Sequence, residues 1–137
     1  MKSSFFFVAM LCLFTTDLYA IDLDALIRHY AIKAEKENPV FSDFDLERGK
    51  NLYSKSFISG KKDTPSCTTC HSKDPTQIGE TRAGKVIEPM AISTNPERYR
   101  SLKKVEKWFR RNCKSVLGRE CNATEKAFFF NSNVTAH

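Results

Sequence analysis

An all-α fold is predicted by three observations on this chain. Apolar residues recur at helical spacing in separate stretches, capping residues mark the helix starts, and no run alternates with the period of a strand. In the first stretch, Leu23, Leu26, Ile27, Tyr30 and Ala31 form one face over Leu23 to Glu37, with Asp24 near the positive end of the helix. Asn38-Pro39 breaks that helix. A second is predicted to begin near Ser42 or Asp43 and to run through Leu46, Gly49 and Tyr53 toward Phe57. Gly60 to Pro65 reads as a polar turn, which leaves Cys67 to His71 on a short helical turn. Residues 72–94 carry few apolar positions, with Gly79, Gly84 and Pro89 among them, and are expected to form a long extended loop. Asn95, Pro96 and Glu97 have the order of a cap and first turn, so a helix is predicted from there, with Leu102, Val105, Trp108 and Phe109 as its stripe and its end close to Asn112. Asn122 with Glu125 three residues on matches a capping box and opens a last short helix over Ala127 to Phe130.

Residues 1–20 read differently. Lys2 supplies a positive start, Phe5 to Phe14 an apolar core and Leu18-Tyr19-Ala20 a cleavage site, the pattern of a cleaved export signal. The apolar run is shorter than the ~20 residues that span a bilayer, so stable membrane insertion after cleavage is not expected. Leu11 before Cys12 is also wrong for lipidation. Cleavage leaves 137 − 20 = 117 residues, 21–137, enough for one domain. The expected compartment is the bacterial periplasm, where disulfides form. The net charge of +6 is interleaved with acids, which disfavours nucleic acid as a partner and suits steering toward an acidic protein.

The chemistry is concentrated in Cys67-Thr68-Thr69-Cys70-His71. Two thiols at this spacing followed by an imidazole are arranged for covalent haem, with Cys67 and Cys70 as thioether sites and His71 as proximal iron ligand. One haem c and a small class I-like cytochrome c fold, with the long loop following the haem motif along one haem edge, are the expectation. The rival is a zinc site of Cys67, Cys70, Cys113 and Cys121, but the second pair is spaced too widely for it and His71 would be left without a role. After Cys12 and the haem cysteines are subtracted, Cys113 and Cys121 remain as an even pair and are expected to form a disulfide.

The second axial ligand decides between electron carriage and gas binding. Met90, the methionine left after cleavage, lies early in the loop and reads better as haem packing, alongside Trp108. His29 sits among apolar neighbours on the first helix, and His137 is the last residue. Asn112 precedes the expected disulfide, although by position alone it reads as a helix C-cap. No downstream histidine or carboxylate stands out as a proton donor, so no catalytic residue is assigned and an enzyme ranks last.

With Asp63-Thr64-Pro65-Ser66-Cys67-Thr68-Thr69-Cys70-His71, Thr81-Arg82-Ala83-Gly84-Lys85, Val105-Glu106-Lys107-Trp108, Arg111-Asn112-Cys113 and Gly118-Arg119-Glu120-Cys121 in view, the chain resembles the sphaeroides haem protein family over most of residues 21–137. The resemblance implies that Asn112 is a dissociable distal ligand to iron, that Cys113 and Cys121 are bridged, that a diatomic gas such as dioxygen binds after reduction, and that a dihaem cytochrome c is the redox partner. Lys103, Lys104, Lys107, Arg110 and Arg111 are a candidate docking face for it. The chain departs from the family after Ala127: Asn131 to His137 give a polar tail, which predicts a shortened C-terminal helix and either weaker stability or a truncated gene product, with the iron chemistry unaltered.

Overall fold

The computed structural model describes residues 21–41 and 45–135. The predicted export signal, the predicted start of the second helix near Ser42 and Asp43, and His137 lie outside these residues.

Four α-helices dominate the fold: α1 (Leu23–Glu37), α2 (Leu46–Ser54), α3 (Leu102–Leu117) and α4 (Ala123–Phe129). Asp22 caps α1, its carboxylate accepting from the Ala25 N–H at 2.6 Å. Asp45 caps α2 through the Arg48 N–H, and the helix stops at Ser54, short of Phe57. The capping box of α4 is formed as expected, with Asn122 accepting from the Glu125 N–H and Glu125 from the Asn122 N–H.

Three expectations are corrected. The third helix does not begin at Asn95. Residues 95–100 are a series of turns, and α3 starts after Ser101, whose hydroxyl accepts from the Lys104 N–H. Those turns are drawn back onto the loop, where the Tyr99 hydroxyl donates to the Met90 carbonyl at 2.8 Å and Arg98 to the Glu88 carbonyl at 3.0 Å. At its other end α3 runs through Asn112 to Leu117, so Asn112 is not its cap; Gly118, at φ 71°, takes that position. The long loop also holds a small antiparallel pair, β1 (Gly79–Glu80) with β2 (Val86–Ile87), in register Gly79 to Ile87.

Residues 131–134 of the polar stretch do not form a free tail. Phe130–Val134 extends α4 as a π-helical turn whose Phe130, Ser132, Asn133 and Val134 are buried. The Asn133 amide donates to Ser132 Oγ at 2.7 Å and to the Gly49 carbonyl at 3.3 Å, and the Ser132 hydroxyl donates to the Phe128 carbonyl at 2.9 Å. With these partners the polar groups enter the core without the desolvation penalty of an unpaired group.

The core joins Leu26, Tyr30 and Ala34 of α1 to Val105 of α3 and to Ala127, Phe129 and Phe130. Tyr30 stacks on Phe130 at 5.3 Å between ring centres, and Phe109 meets Phe129 and Phe130 edge to face. A second cluster of Cys113, Val116 and Leu117 packs against Leu52, Phe57, Cys67 and Phe109. It brings the end of α3 to the cysteine motif.

Candidate haem site

Cys67–Thr69 forms one turn of 3-10 helix. Ser66 and Thr69 close it reciprocally, the Ser66 N–H donating to Thr69 Oγ1 at 3.2 Å, and the His71 N–H donates to the Cys67 carbonyl at 3.0 Å. The turn therefore carries Cys67, Cys70 and His71 together. It is pinned from two sides. The Tyr53 hydroxyl of α2 donates to the Ser72 carbonyl at 2.6 Å, and the Glu80 N–H of β1 donates to the Cys70 carbonyl at 2.8 Å.

Both cysteines are free thiols, and burial pushes Cys67 up to about 11. His71 is lowered to about 4, first by burial and then by the positive charge of Arg98, so its imidazole is neutral at pH 7, the form that binds metals. Its buried Nδ1 has no partner among the described residues.

Two cavities share Phe109, Asn112 and Phe129 in their walls, and one of them reaches Cys67 of this turn. One extends to Met90, Arg98 and Trp108, the other to Cys67 and the Cys113–Cys121 bridge. The bridge is formed, with Cα atoms 5.6 Å apart, and it takes the two thiols that a four-cysteine zinc site would need. Asn112 is exposed and its carboxamide makes no hydrogen bond among the described residues. Met90 is buried and reaches the same space as Asn112. His29 does not line either cavity; it sits edge-on to Tyr30, and burial and then Lys33 lower its pKa.

Arg98, Tyr99 and Phe129 are wall residues that sequence reasoning missed. The Asn95-Pro96 signal placed the first two on a helix, and Phe129 belonged to a run of three phenylalanines with nothing to say which of them faces inward.

The helical fold, the cysteine-histidine turn and the adjoining apolar space define a small c-type cytochrome. A family model described as a domain of unknown function (DUF1924) matches residues 39–131. The cytochrome c-type protein SHP of Cereibacter sphaeroides is 53% identical over 83 residues, 61% of this chain and 64% of that protein, so less than two thirds of its length is spanned. The structure of oxidised SHP, described as an oxygen-binding cytochrome c, superposes with a TM-score of 0.75 at 42% identity over 82% of this chain and 96% of that one. The solution structure of cytochrome c'' from Methylophilus methylotrophus, presented for its haem-ligand detachment, gives a TM-score of 0.71 at 28% identity over 82% of this chain and 92% of that one. The chain belongs to the DUF1924 family and, within the c-type cytochromes, to the SHP family.

Its cofactor is one covalent haem c. The residues present suit that group: two free thiols and a neutral imidazole on one turn, an unpartnered buried ring nitrogen, and an aromatic, largely apolar space alongside. Among the described residues no helix is long and apolar enough to cross a membrane.

Proposed function

We propose that this chain is an exported, class I-like monohaem cytochrome c that accepts an electron and, once reduced, binds dioxygen or another diatomic. In this reading residues 1–20 direct export to the periplasm and residues 21–137 form the single haem domain. Cys67 and Cys70 hold the haem as thioethers, His71 ligates the iron from one side and Asn112 from the other. Haem iron supplies one-electron redox chemistry and, with one position open, affinity for small diatomics.

The observation that carries the reading is the position of Asn112, the polar side chain shared by two cavities of which one is lined by Cys67 and the other by Met90 and Trp108. An amide oxygen is a hard, neutral, weak ligand that suits ferric iron and serves softer ferrous iron poorly, so reduction releases it. The Cys113–Cys121 bridge adjoins it in sequence and keeps the freed carboxamide near. There its NH2 can donate a hydrogen bond to an incoming ligand. What SHP and cytochrome c'' are described as doing, binding oxygen and detaching a haem ligand, supports the same sequence of events. The chain is then a redox and ligand-binding protein, not a dedicated catalyst. The exposed Lys103, Lys104, Lys107, Arg110 and Arg111 provide the face for its redox partner, a dihaem cytochrome c.

Met90 supports a second reading, since it faces the same cavity and a thioether would be a permanent ligand. Asn112→Val, with ferric and ferrous spectra recorded side by side and carbon monoxide added to the ferrous form, separates the two. A changed ferric spectrum, with a ferrous wild type that is high-spin and takes up carbon monoxide, is the expected result. An unchanged ferric spectrum, or a low-spin ferrous wild type indifferent to carbon monoxide, overturns it.

A further inference from the structure

Arg98 carries a charge that the protein itself leaves without a counter-ion. Its guanidinium lies 5.2 Å from the Trp108 ring centre and 5.9 Å from that of Tyr99. Its Nε is buried with no partner, and one terminal nitrogen donates to a neutral carbonyl, that of Glu88. Among the described residues no carboxylate pairs with it: neighbouring Glu97 is engaged by Arg100, and Glu106 by Lys126.

A guanidinium in such a place is costly unless an anion completes it. The side chain sits where an anion on the haem can be met. It lines the cavity of Asn112, Met90 and Trp108, and it also lines the wider open groove formed with Glu88, Ser101 and Lys104. Haem c carries two carboxylates of its own, at one rim of the macrocycle. The planar fork of arginine fits a carboxylate through two parallel hydrogen bonds, which the single ammonium of a lysine does not reproduce.

We propose that Arg98 is the anchor of a haem propionate, fixing the carboxylate rim at the mouth of the open groove and raising the reduction potential by neutralising that carboxylate. This rests on the haem occupying the space beside Cys67 and His71. The sign follows from electrostatics: ferric haem carries one more positive charge than ferrous, so a paired propionate stabilises it less than a free one. The Trp108 ring, 5.2 Å from the guanidinium carbon, attracts the cation without neutralising it, so the charge still calls for an anion.

The test uses the full holoprotein with Arg98→Gln and Arg98→Lys. Three properties are read: the midpoint potential by spectroelectrochemical titration, the propionate bending band in the resonance Raman spectrum, and thermal unfolding. Arg98→Gln is expected to lower the potential and shift the propionate band while the ferric ligation spectrum is kept. Arg98→Lys retains the charge without the fork and should shift the band with a smaller fall in potential. An unchanged propionate band or an unchanged potential in Arg98→Gln overturns the proposal whatever happens to stability, because a purely structural arginine would move only the unfolding temperature. If Arg98→Gln does not assemble, Arg98→Lys decides by the same band. Failure here is separable from failure of the ligand reading, which shows in the ferric spectrum of Asn112→Val.

Discussion

Replacing Gly49 by Ala tests whether the polar C-terminal segment is part of the core. A Cβ built at Gly49 would lie 2.7 Å from Ser132 Cβ, and nearer still to Ser132 Oγ and the Phe128 carbonyl oxygen, where real Cβ atoms stay beyond 3.0 Å. The hydroxyl can turn aside, but only by giving up its bond to the Phe128 carbonyl and its place as acceptor for Asn133. The carbonyl belongs to α4 and cannot turn at all. Overpacking of this kind costs ~1–3 kcal/mol, and contact with fixed backbone puts it toward the upper end. Alanine in a helix interior returns ~1 kcal/mol relative to glycine. The net expectation is a loss of ~1–2 kcal/mol, or ~4–8 °C in unfolding temperature for a domain of this size. Thermal and urea unfolding of the holoprotein, followed by far-ultraviolet circular dichroism, would measure it. Ser132→Gly in the same chain should recover part of the loss and no more, since the carbonyl contact remains. A Gly49→Ala protein as stable as the parent, or more so, would mean that residues 130–134 do not pack on α2.

Two further outcomes follow from the helix contacts. The Glu106 carboxylate accepts from the Tyr30 hydroxyl at 2.9 Å and from Lys126 at 2.8 Å. Burial raises its pKa, but these hydrogen bonds and the Lys126 and Lys33 charges outweigh that and leave it lowered. A folded-state pKa below the unfolded one stabilises above the ordinary value of ~4.3 and is lost as pH falls through the folded value. Glu106→Gln should therefore cost ~1–2 kcal/mol at pH 7, discounted for its partial exposure, and the gap to the parent should close in acid; a gap that is constant down to pH 3 would contradict this. Removing the bridge as Cys113→Ala with Cys121→Ala opens a loop of sequence separation 8 and should cost ~2.5 kcal/mol in chemical unfolding. Unchanged stability would show that the loop is held by its packing alone.

Much of the fold was written in local signals. The α1 stripe spans the residues it was predicted to span, and Asn122 and Glu125 announce α4 because both halves of that cap lie within one turn of sequence. The cysteine-histidine turn is legible for the same reason. What was misread depends on distant partners. Asn95-Pro96 has the chemistry of a helix start, yet the loop competes for Arg98 and Tyr99, and Ser101 caps the helix instead. Ser132 and Asn133 look like solvent-facing residues until the Asn133 amide donates to Ser132 Oγ and to the Gly49 carbonyl, and the Ser132 hydroxyl to the Phe128 carbonyl. Arg98 carries no motif at all; only its place 5.2 Å from the ring of Trp108 on α3 shows that its charge lies at the rim of the cavity.

The misplaced end of α3 has a consequence for the proposed ligand exchange. An asparagine at a helix C-cap would sit on the turn that frays most readily, and leaving or rejoining the iron would be tied to melting of that turn. Asn112 lies instead within α3, which continues to Leu117. Just beyond it the backbone is fastened three times: by the bridge at Cys113, by the Lys61 N–H donating to the Ser115 carbonyl at 2.7 Å, and by the Ser59 hydroxyl donating to the Leu117 carbonyl at 2.8 Å. In the proposed exchange, release would then involve only the two side-chain torsions of one asparagine. A short side chain would lose little entropy on being captured again, which in this proposal would leave the balance between bound and free states to the iron–amide bond and hence to the oxidation state. A redox-controlled ligand needs that separation, because any backbone rearrangement coupled to release would add a cost unrelated to the electron.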